Sequence, residues 1–247
     1  MHTVKVIAHR GFSTEAPENT LAAFRRALEL KIDMIECDVR LSKDGRLMVI
    51  HDETVDRTTN GTGAVSQMTF DQLRGLDAGS WFGPEFACEK IPTLDEALDA
   101  VKNEAALMVE IKEAGQEDHA VTIIRGRGMS AETVITSFHD SVGFRLPELD
   151  ETITFSLLYA SDTKLGENES VHLAGDAAAV NATILAVNYR AITAATVKAA
   201  HAGNMQILAW TVDDPEEMGR MAEMGVDIIT SNKPDILIHV LQELGLR

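Results

Sequence analysis

The chain has 247 residues, 45% of them hydrophobic and 25% charged, with 17 glycines and 6 prolines, which excludes disorder, collagen-like repeats and coiled coil. Thirty-nine acidic against 22 basic residues leave a formal net charge of −17. A field of that sign repels nucleic-acid backbones and anionic membrane surfaces, so no nucleic acid is expected as a partner, and any anionic ligand needs local positive charge.

Short apolar, β-branched runs alternate with longer segments of helical period, the pattern of parallel βα units. Candidate strands begin with Val4–Ala8, Met34–Val39 and Leu47–Ile50. They continue with Leu107–Ile111, Val134–Thr136, Ile153–Leu157, Ile184–Val187, Ile207–Trp210 and Val226–Ile229. A length near 250 residues suits an eight-fold barrel, and these are nine candidates for eight places. The gap between Asp38 and Leu47 holds Lys43-Asp44-Gly45, a turn signal, and is too short for a helical crossover. One of these two early strands is therefore expected to continue, or to pair antiparallel, beside the barrel wall.

Helix boundaries are marked by Asn19-Thr20 before Leu21–Leu30, by Thr93 with Glu96 as a capping box, and by Asp213-Asp214-Pro215-Glu216 before a helix that ends near Met224 and Gly225. From about residue 53 to 92 the rhythm fails. Asn60-Gly61-Thr62-Gly63, Ala78-Gly79-Ser80 and Phe82-Gly83-Pro84 punctuate this stretch, with one helical patch near Phe70–Leu76. The expectation is one domain over 1–247, a TIM (β/α)8 barrel with a small insertion after an early strand.

No run approaches the roughly 18 consecutive apolar residues that cross a bilayer, and the start, Met1 to Ala8, has no leader pattern. A cytoplasmic protein without stable membrane insertion is expected, with a homo-oligomer left open. Cys37 and Cys88 form no Cys-x-x-Cys pair, and both read as reduced and packed.

The chemistry lies where polar residues interrupt apolar runs. Glu36 and Asp38 are two apart on one strand, so they share a face, and Cys37 faces the other way. Glu110 and Lys112 repeat the spacing after Leu107-Met108-Val109. Carboxylates crowded on a buried strand repel unless a cation intervenes, and Glu36, Asp38 and Glu110 together suit a hard divalent metal, Mg2+ or Ca2+, rather than zinc. His9 and His51 each follow an apolar strand run directly and read as an acid/base pair. Arg10 and Lys112 supply the positive charge that a phosphate requires. All of these mark one end of the strands, the end where barrel active sites lie.

In this setting the chain resembles the glycerophosphodiester phosphodiesterase family. The matching pieces are His9-Arg10-Gly11, Pro17-Glu18-Asn19-Thr20, Glu36-Cys37-Asp38-Val39, His51-Asp52, Asp56-Arg57-Thr58-Thr59-Asn60-Gly61, Ile91-Pro92-Thr93-Leu94, Glu110-Ile111-Lys112, Trp210-Thr211-Val212 and Gly225-Val226-Asp227. They span nearly the whole chain in order. The resemblance implies a TIM barrel that hydrolyses glycerophosphodiesters to glycerol 3-phosphate and an alcohol with a divalent metal. It matches Glu36, Asp38 and Glu110 to metal ligands, His9 and His51 to the catalytic pair, Arg10 and Lys112 to phosphate contacts, and Trp210 and Phe138 to the glycerol and head-group side. Where the family often carries Asn and Asp, this chain has Asp213 and Ser231, which puts the leaving-alcohol preference in question. His139, at a further strand end, reads as a cap or rim residue, with contact to substrate as the alternative. Two rival readings are a lysophospholipid or sphingolipid phosphodiesterase of the same fold and a non-catalytic barrel binding phosphorylated metabolites.

Overall fold

The computed structural model describes residues 3–247; Met1 and His2, at the start read for a leader, lie outside the described residues. Among the described residues there are nine strands: β1 (Lys5–Ala8), β2 (Met34–Leu41), β3 (Leu47–Val49), β4 (Ala106–Ile111), β5 (Thr133–Ser137), β6 (Thr154–Tyr159), β7 (Ile184–Asn188), β8 (Gln206–Trp210) and β9 (Ile228–Ser231). Eight of them run parallel in the order β1-β9-β8-β7-β6-β5-β4-β2, and pairing of β1 with β2 closes the ring. This is a TIM barrel. The ninth, β3, turns back at Gly45 and pairs antiparallel with β2 at Val39↔Val49, as the short gap between them required.

The helices are α1 (Leu21–Glu29), α2 (Phe70–Gly75), α3 (Leu94–Val101), α4 (Glu117–Arg127), α5 (Asp140–Leu149), α6 (Glu167–Ala179), α7 (Ala194–Ala202), α8 (Pro215–Glu223) and α9 (Pro234–Glu243). Their starts follow the expected chemistry. Thr20 Oγ1 accepts from Ala23 N, Thr93 and Glu96 form a reciprocal capping box, and Asp214 accepts from the amides of Glu216 and Glu217 before α8. The last strand begins two residues later than expected. Asp227 is held in the turn before it, where its Oδ2 accepts from Ile207 N at 2.8 Å.

Two apolar layers follow from strand alternation. One fills the barrel interior with Ile7, Met34, Met108, Val134, Ile184, Ala186, Leu208 and Ile228. The larger one lies between the strands and the surrounding helices and includes Cys37, Val109, Ile135 and Ile207. The interior layer floors the site, because the next inward positions toward the strand C-termini carry the polar residues. After β3 the chain leaves the barrel wall and returns at α3, and this segment has an apolar cluster of its own made of Met48, Ile50, Val55, Val65, Leu73, Ala78 and Ile91. Cys37 is buried, but Cys88, expected to be packed, is exposed: it lies in the irregular segment between β3 and α3, at a left-handed φ of 72°. No described helix is long and apolar enough to cross a membrane.

Candidate active site

At the C-terminal mouth of the barrel a cavity of about 240 Å³ has two unlike walls. His9, Arg10, Glu36, His51, Glu110 and Lys112 line the side of β1, β2 and β4; Phe138, Leu158 and Trp210 line the side of β5 to β8, over a floor that includes Met108, Ala186 and Leu208. The structure thus brings eight of the nine sequence-derived site residues to one cavity. The ninth, Asp38, is wholly buried beneath it. His139 is outside the lining; its ring Nε2 lies 3.2 Å from the Lys112 carbonyl.

Three carboxylates converge. Glu36 and Asp38 point inward from β2, and Glu110 is the register partner of Asp38 on β4. Ligand atoms from all three fall within 4.8 Å of one another. Burial, followed by the charges of Asp38 and Glu110, pushes the Glu36 carboxyl well above its ordinary value. Burial and Asp38 push Glu110 up to about 7. Asp38 goes the other way, because Lys112 and Arg10 outweigh the burial that would raise it. Lys112 Nζ bridges Asp38 at 2.8 Å and Glu110 at 2.7 Å, so one ammonium already neutralises part of the cluster. The donor set of three hard oxygens, two of them disfavoured as free anions, fits a divalent cation of the Mg2+ or Ca2+ type.

Asp38 is held by Asn19, from the loop between β1 and α1. The Asn19 amide nitrogen donates to Asp38 Oδ2 at 2.8 Å, and Asp38 N donates back to Asn19 Oδ1 at 3.2 Å. Asn19 adopts the left-handed φ of 57° that its residue type tolerates. Arg10 comes from the same loop: its backbone N donates to Glu36 Oε2 at 3.0 Å, its Nη1 reaches Glu18 at 2.8 Å, and its Nε is 3.2 Å from Asp38.

The two histidines differ in partner. His9 Nδ1 is 2.7 Å from Asn232 Oδ1. The Asn232 amide nitrogen donates to Asp213 at 2.6 Å, and since a carboxylate only accepts, the amide oxygen must face His9. Neutral His9 therefore carries its proton on Nδ1 and leaves Nε2 as a free base. Burial, then the Arg10 charge, depresses this imidazole to about 4. His51 Nδ1 instead meets the Asp52 carboxylate at 2.7 Å. Burial, with the charges of Arg10 and Lys112, lowers His51 as well, against Asp38 and the Asp52 hydrogen bond, which pull it up. The carboxylate partner supports an imidazolium where the amide does not.

Sequence reasoning missed Asn232 and the task of Asp213. No strand rhythm or charge pattern marks an asparagine two residues before Pro234. Ser231 and Asp213, noted as departures, are bonded to each other, with Ser231 Oγ donating to Asp213 Oδ1 at 3.0 Å, and Asp213 also accepts from the backbone N of Asn232 at 2.8 Å. On the apolar wall Phe138 and Trp210 meet edge to face with ring centroids 5.9 Å apart.

Residues 9–236 match the family model described as the glycerophosphoryl diester phosphodiesterase family. A glycerophosphodiester phosphodiesterase of Caldanaerobacter subterraneus subsp. tengcongensis is 39% identical over 246 residues, covering 97% of this chain and 98% of that protein. The crystal structure of a glycerophosphodiester phosphodiesterase from Agrobacterium tumefaciens superposes with a TM-score of 0.80 at 31% identity, covering 96% and 99% of the two chains. An Oleispira antarctica phosphodiesterase, solved in complex with the product sn-glycerol-3-phosphate, gives 0.86 at 26% identity, covering 97% of each. Barrel topology and a match over nearly the whole length agree: the chain belongs to the glycerophosphoryl diester phosphodiesterase family.

Proposed function

We propose that this protein hydrolyses small glycerophosphodiesters to glycerol 3-phosphate and an alcohol, with His9 as base and His51 as acid. The observation that carries this reading is the unequal pairing of the two histidines across one carboxylate cluster, His9 to an amide and His51 to a carboxylate. Family membership supplies the substrate class.

Glu36, Asp38 and Glu110 would hold the divalent ion, Mg2+ or Ca2+, whose chemistry there is Lewis-acid polarisation of a phosphoryl oxygen. Arg10 and Lys112 bind the phosphate charge from the rim of the cluster. His9 Nε2 takes the proton of the attacking water as its bond to phosphorus forms; attack by the neighbouring glycerol hydroxyl would instead give a cyclic glycerol phosphate, which a water opens to glycerol 3-phosphate in a second step with the roles of the two histidines exchanged. Protonated His51 gives its Nε2 proton to the alkoxide as the second phosphorus–oxygen bond breaks. Afterwards His9 holds the gained proton, His51 is neutral, and exchange with solvent restores both. Phe138 and Trp210 shape the apolar side, against which the glycerol or the leaving alcohol packs. Residues 53–92 form the insertion of a single domain, and a reducing, cytoplasmic setting suits the exposed Cys88 thiol.

The test is release of glycerol 3-phosphate from a panel of soluble glycerophosphodiesters, with a detergent-solubilised lysophospholipid alongside, in Mg2+, in Ca2+ and in excess chelator. Metal-dependent release from the soluble diesters is expected. Cleavage of the lysophospholipid alone would move the reading to a lipid phosphodiesterase, and an intact diester retained by the folded, metal-loaded protein would make the barrel a binding module.

A further inference from the structure

Arg57 lies outside the barrel, in the segment that joins β3 to α3, and lines no part of the cavity described above. Its guanidinium nevertheless grips two carboxylates at once. Nε and Nη2 reach the two Asp52 oxygens at 2.7 and 3.0 Å, and Nη1 and Nη2 reach the two Glu18 oxygens at 2.8 Å each. Each carboxylate has a second partner in the site. Asp52 meets His51 Nδ1 at 2.7 Å, and Glu18 accepts from Arg10 Nη1 at 2.8 Å. The groups form one line of alternating charge: His51, Asp52, Arg57, Glu18, Arg10.

We infer that Arg57 is a positioning residue that aims the His51 acid at the leaving alcohol and ties its aim to the phosphate-binding Arg10. This rests on His51 acting as the acid in the proposed function. A planar fork with two-point contacts on both sides fixes the carboxylates in direction as well as distance, which a lysine cannot do. Without it, Glu18 and Asp52 would face each other as like charges, and Asp52 would be free to turn from His51 toward water. The fork is itself anchored. Neighbouring Val55, Thr58 and Thr59 are buried, and the Thr59 hydroxyl donates to the Val55 carbonyl at 2.7 Å. The segment outside the barrel thereby contributes to the reaction a guanidinium in a fixed place.

Because Arg57 would act through an acid, its loss should depend on the leaving group. An alkoxide needs the proton from His51, whereas p-nitrophenolate departs without one. For Arg57→Ala we expect kcat on glycerophosphoethanolamine to fall about 10- to 100-fold, part of the 10²–10⁴ that a general acid contributes. On the p-nitrophenyl diester of glycerol 3-phosphate it should change by less than about threefold. Asp52→Asn should show the same split, and the double variant should lose no more than the larger single one. Arg57→Lys, which keeps the charge without the fork, should fall between and covers the case in which the alanine variant does not fold. An equal loss on both substrates in a folded variant, or additive losses in the double variant, would overturn the inference. His51→Ala separates this from failure of the underlying reading. If it too lacks the split, His51 is not the acid; if it shows the split and Arg57→Ala does not, Arg57 has no positioning role.

Discussion

Asp38 and Glu110 are register partners on neighbouring parallel strands, and the single ammonium of Lys112 lies 2.8 Å from one and 2.7 Å from the other. Two carboxylates at that spacing, with Glu36 beside them, make the mouth of this barrel costly to keep anionic without a cation.

That cost sets a pH dependence. In the folded chain without metal, the Glu110 carboxyl is held up to about 7 from an ordinary 4.5, and Glu36 is raised as well. Between those values the two carboxyls keep protons that the unfolded chain has released, a contribution that lowers metal-free stability as pH rises. His9, depressed from 6.5 to about 4, contributes the opposite slope up to about pH 6.5, so the carboxyl effect should stand out between about pH 6.5 and 7. A divalent ion must displace the same protons, so its binding should weaken as pH drops below about 7 and should release protons. Thermal melts should therefore show a larger rise in Tm from Mg2+ or Ca2+ at about pH 8 than at about pH 5.5. Calorimetry in buffers of different ionisation enthalpy should register the released protons. A metal effect of equal size at both pH values would argue against these carboxylates as the ligands.

His9→Ala and His51→Ala should each lose about 10²- to 10⁴-fold in kcat with the fold intact, the range for removal of a general acid or base. Glu36→Gln should instead raise the metal concentration needed for half activity, and excess metal should restore part of the rate. Retention of full activity by either histidine variant, checked by steady-state kinetics and circular dichroism, would remove that residue from the reaction.

The partner of His9 gives a third expectation. Asn232→Leu keeps much of the volume but removes the amide oxygen that fixes the proton on Nδ1. His9 can then populate the other tautomer, with Nε2 protonated and no base facing the cavity. A fall of about 10- to 100-fold in kcat with little change in KM is expected, because the lost contribution is to proton transfer and not to substrate binding. A rise in KM at unchanged kcat would mean that Asn232 serves binding instead.

What could be read from the chain differs between parts of the site. Alternation along β2 and β4 put Glu36, Asp38, Glu110 and Lys112 on one face, because a period of two fixes direction without any tertiary knowledge. His9 and His51 were legible for the same reason, each directly following a strand run. The partners that give the two histidines different characters were not. Asn232 comes from the far end of the chain, 223 residues from His9, and only closure of the ring between β1 and β9 brings the two together. Arg57 lies in a segment with no periodicity, so its placement depends on a loop fold that local propensity does not encode. Cys88 shows the same limit, since residue type alone favoured burial and the irregular segment that carries it leaves it exposed.

Gly11 joins the fold to the chemistry, and its substitution should damage both. Its φ is +81°, and a Cβ built there would lie 2.7 Å from the backbone carbon of Ala23 in α1. An alanine pays for the left-handed conformation and also forces backbone, not a flexible side-chain tip, to move. Gly11→Ala should lower stability by about 1–3 kcal/mol, seen as a reduced denaturation midpoint at unchanged m-value. The displacement would not stay in the helix contact. Gly11 follows Arg10, whose backbone N holds Glu36 at 3.0 Å and whose guanidinium reaches Glu18 and Asp38. Activity should therefore fall even at temperatures where the variant is fully folded, and raised metal should recover it only in part, because the phosphate contact moves together with the ligand. Loss of stability with wild-type kinetics in the folded state would show that α1 gives way alone and that the site is insulated from this turn.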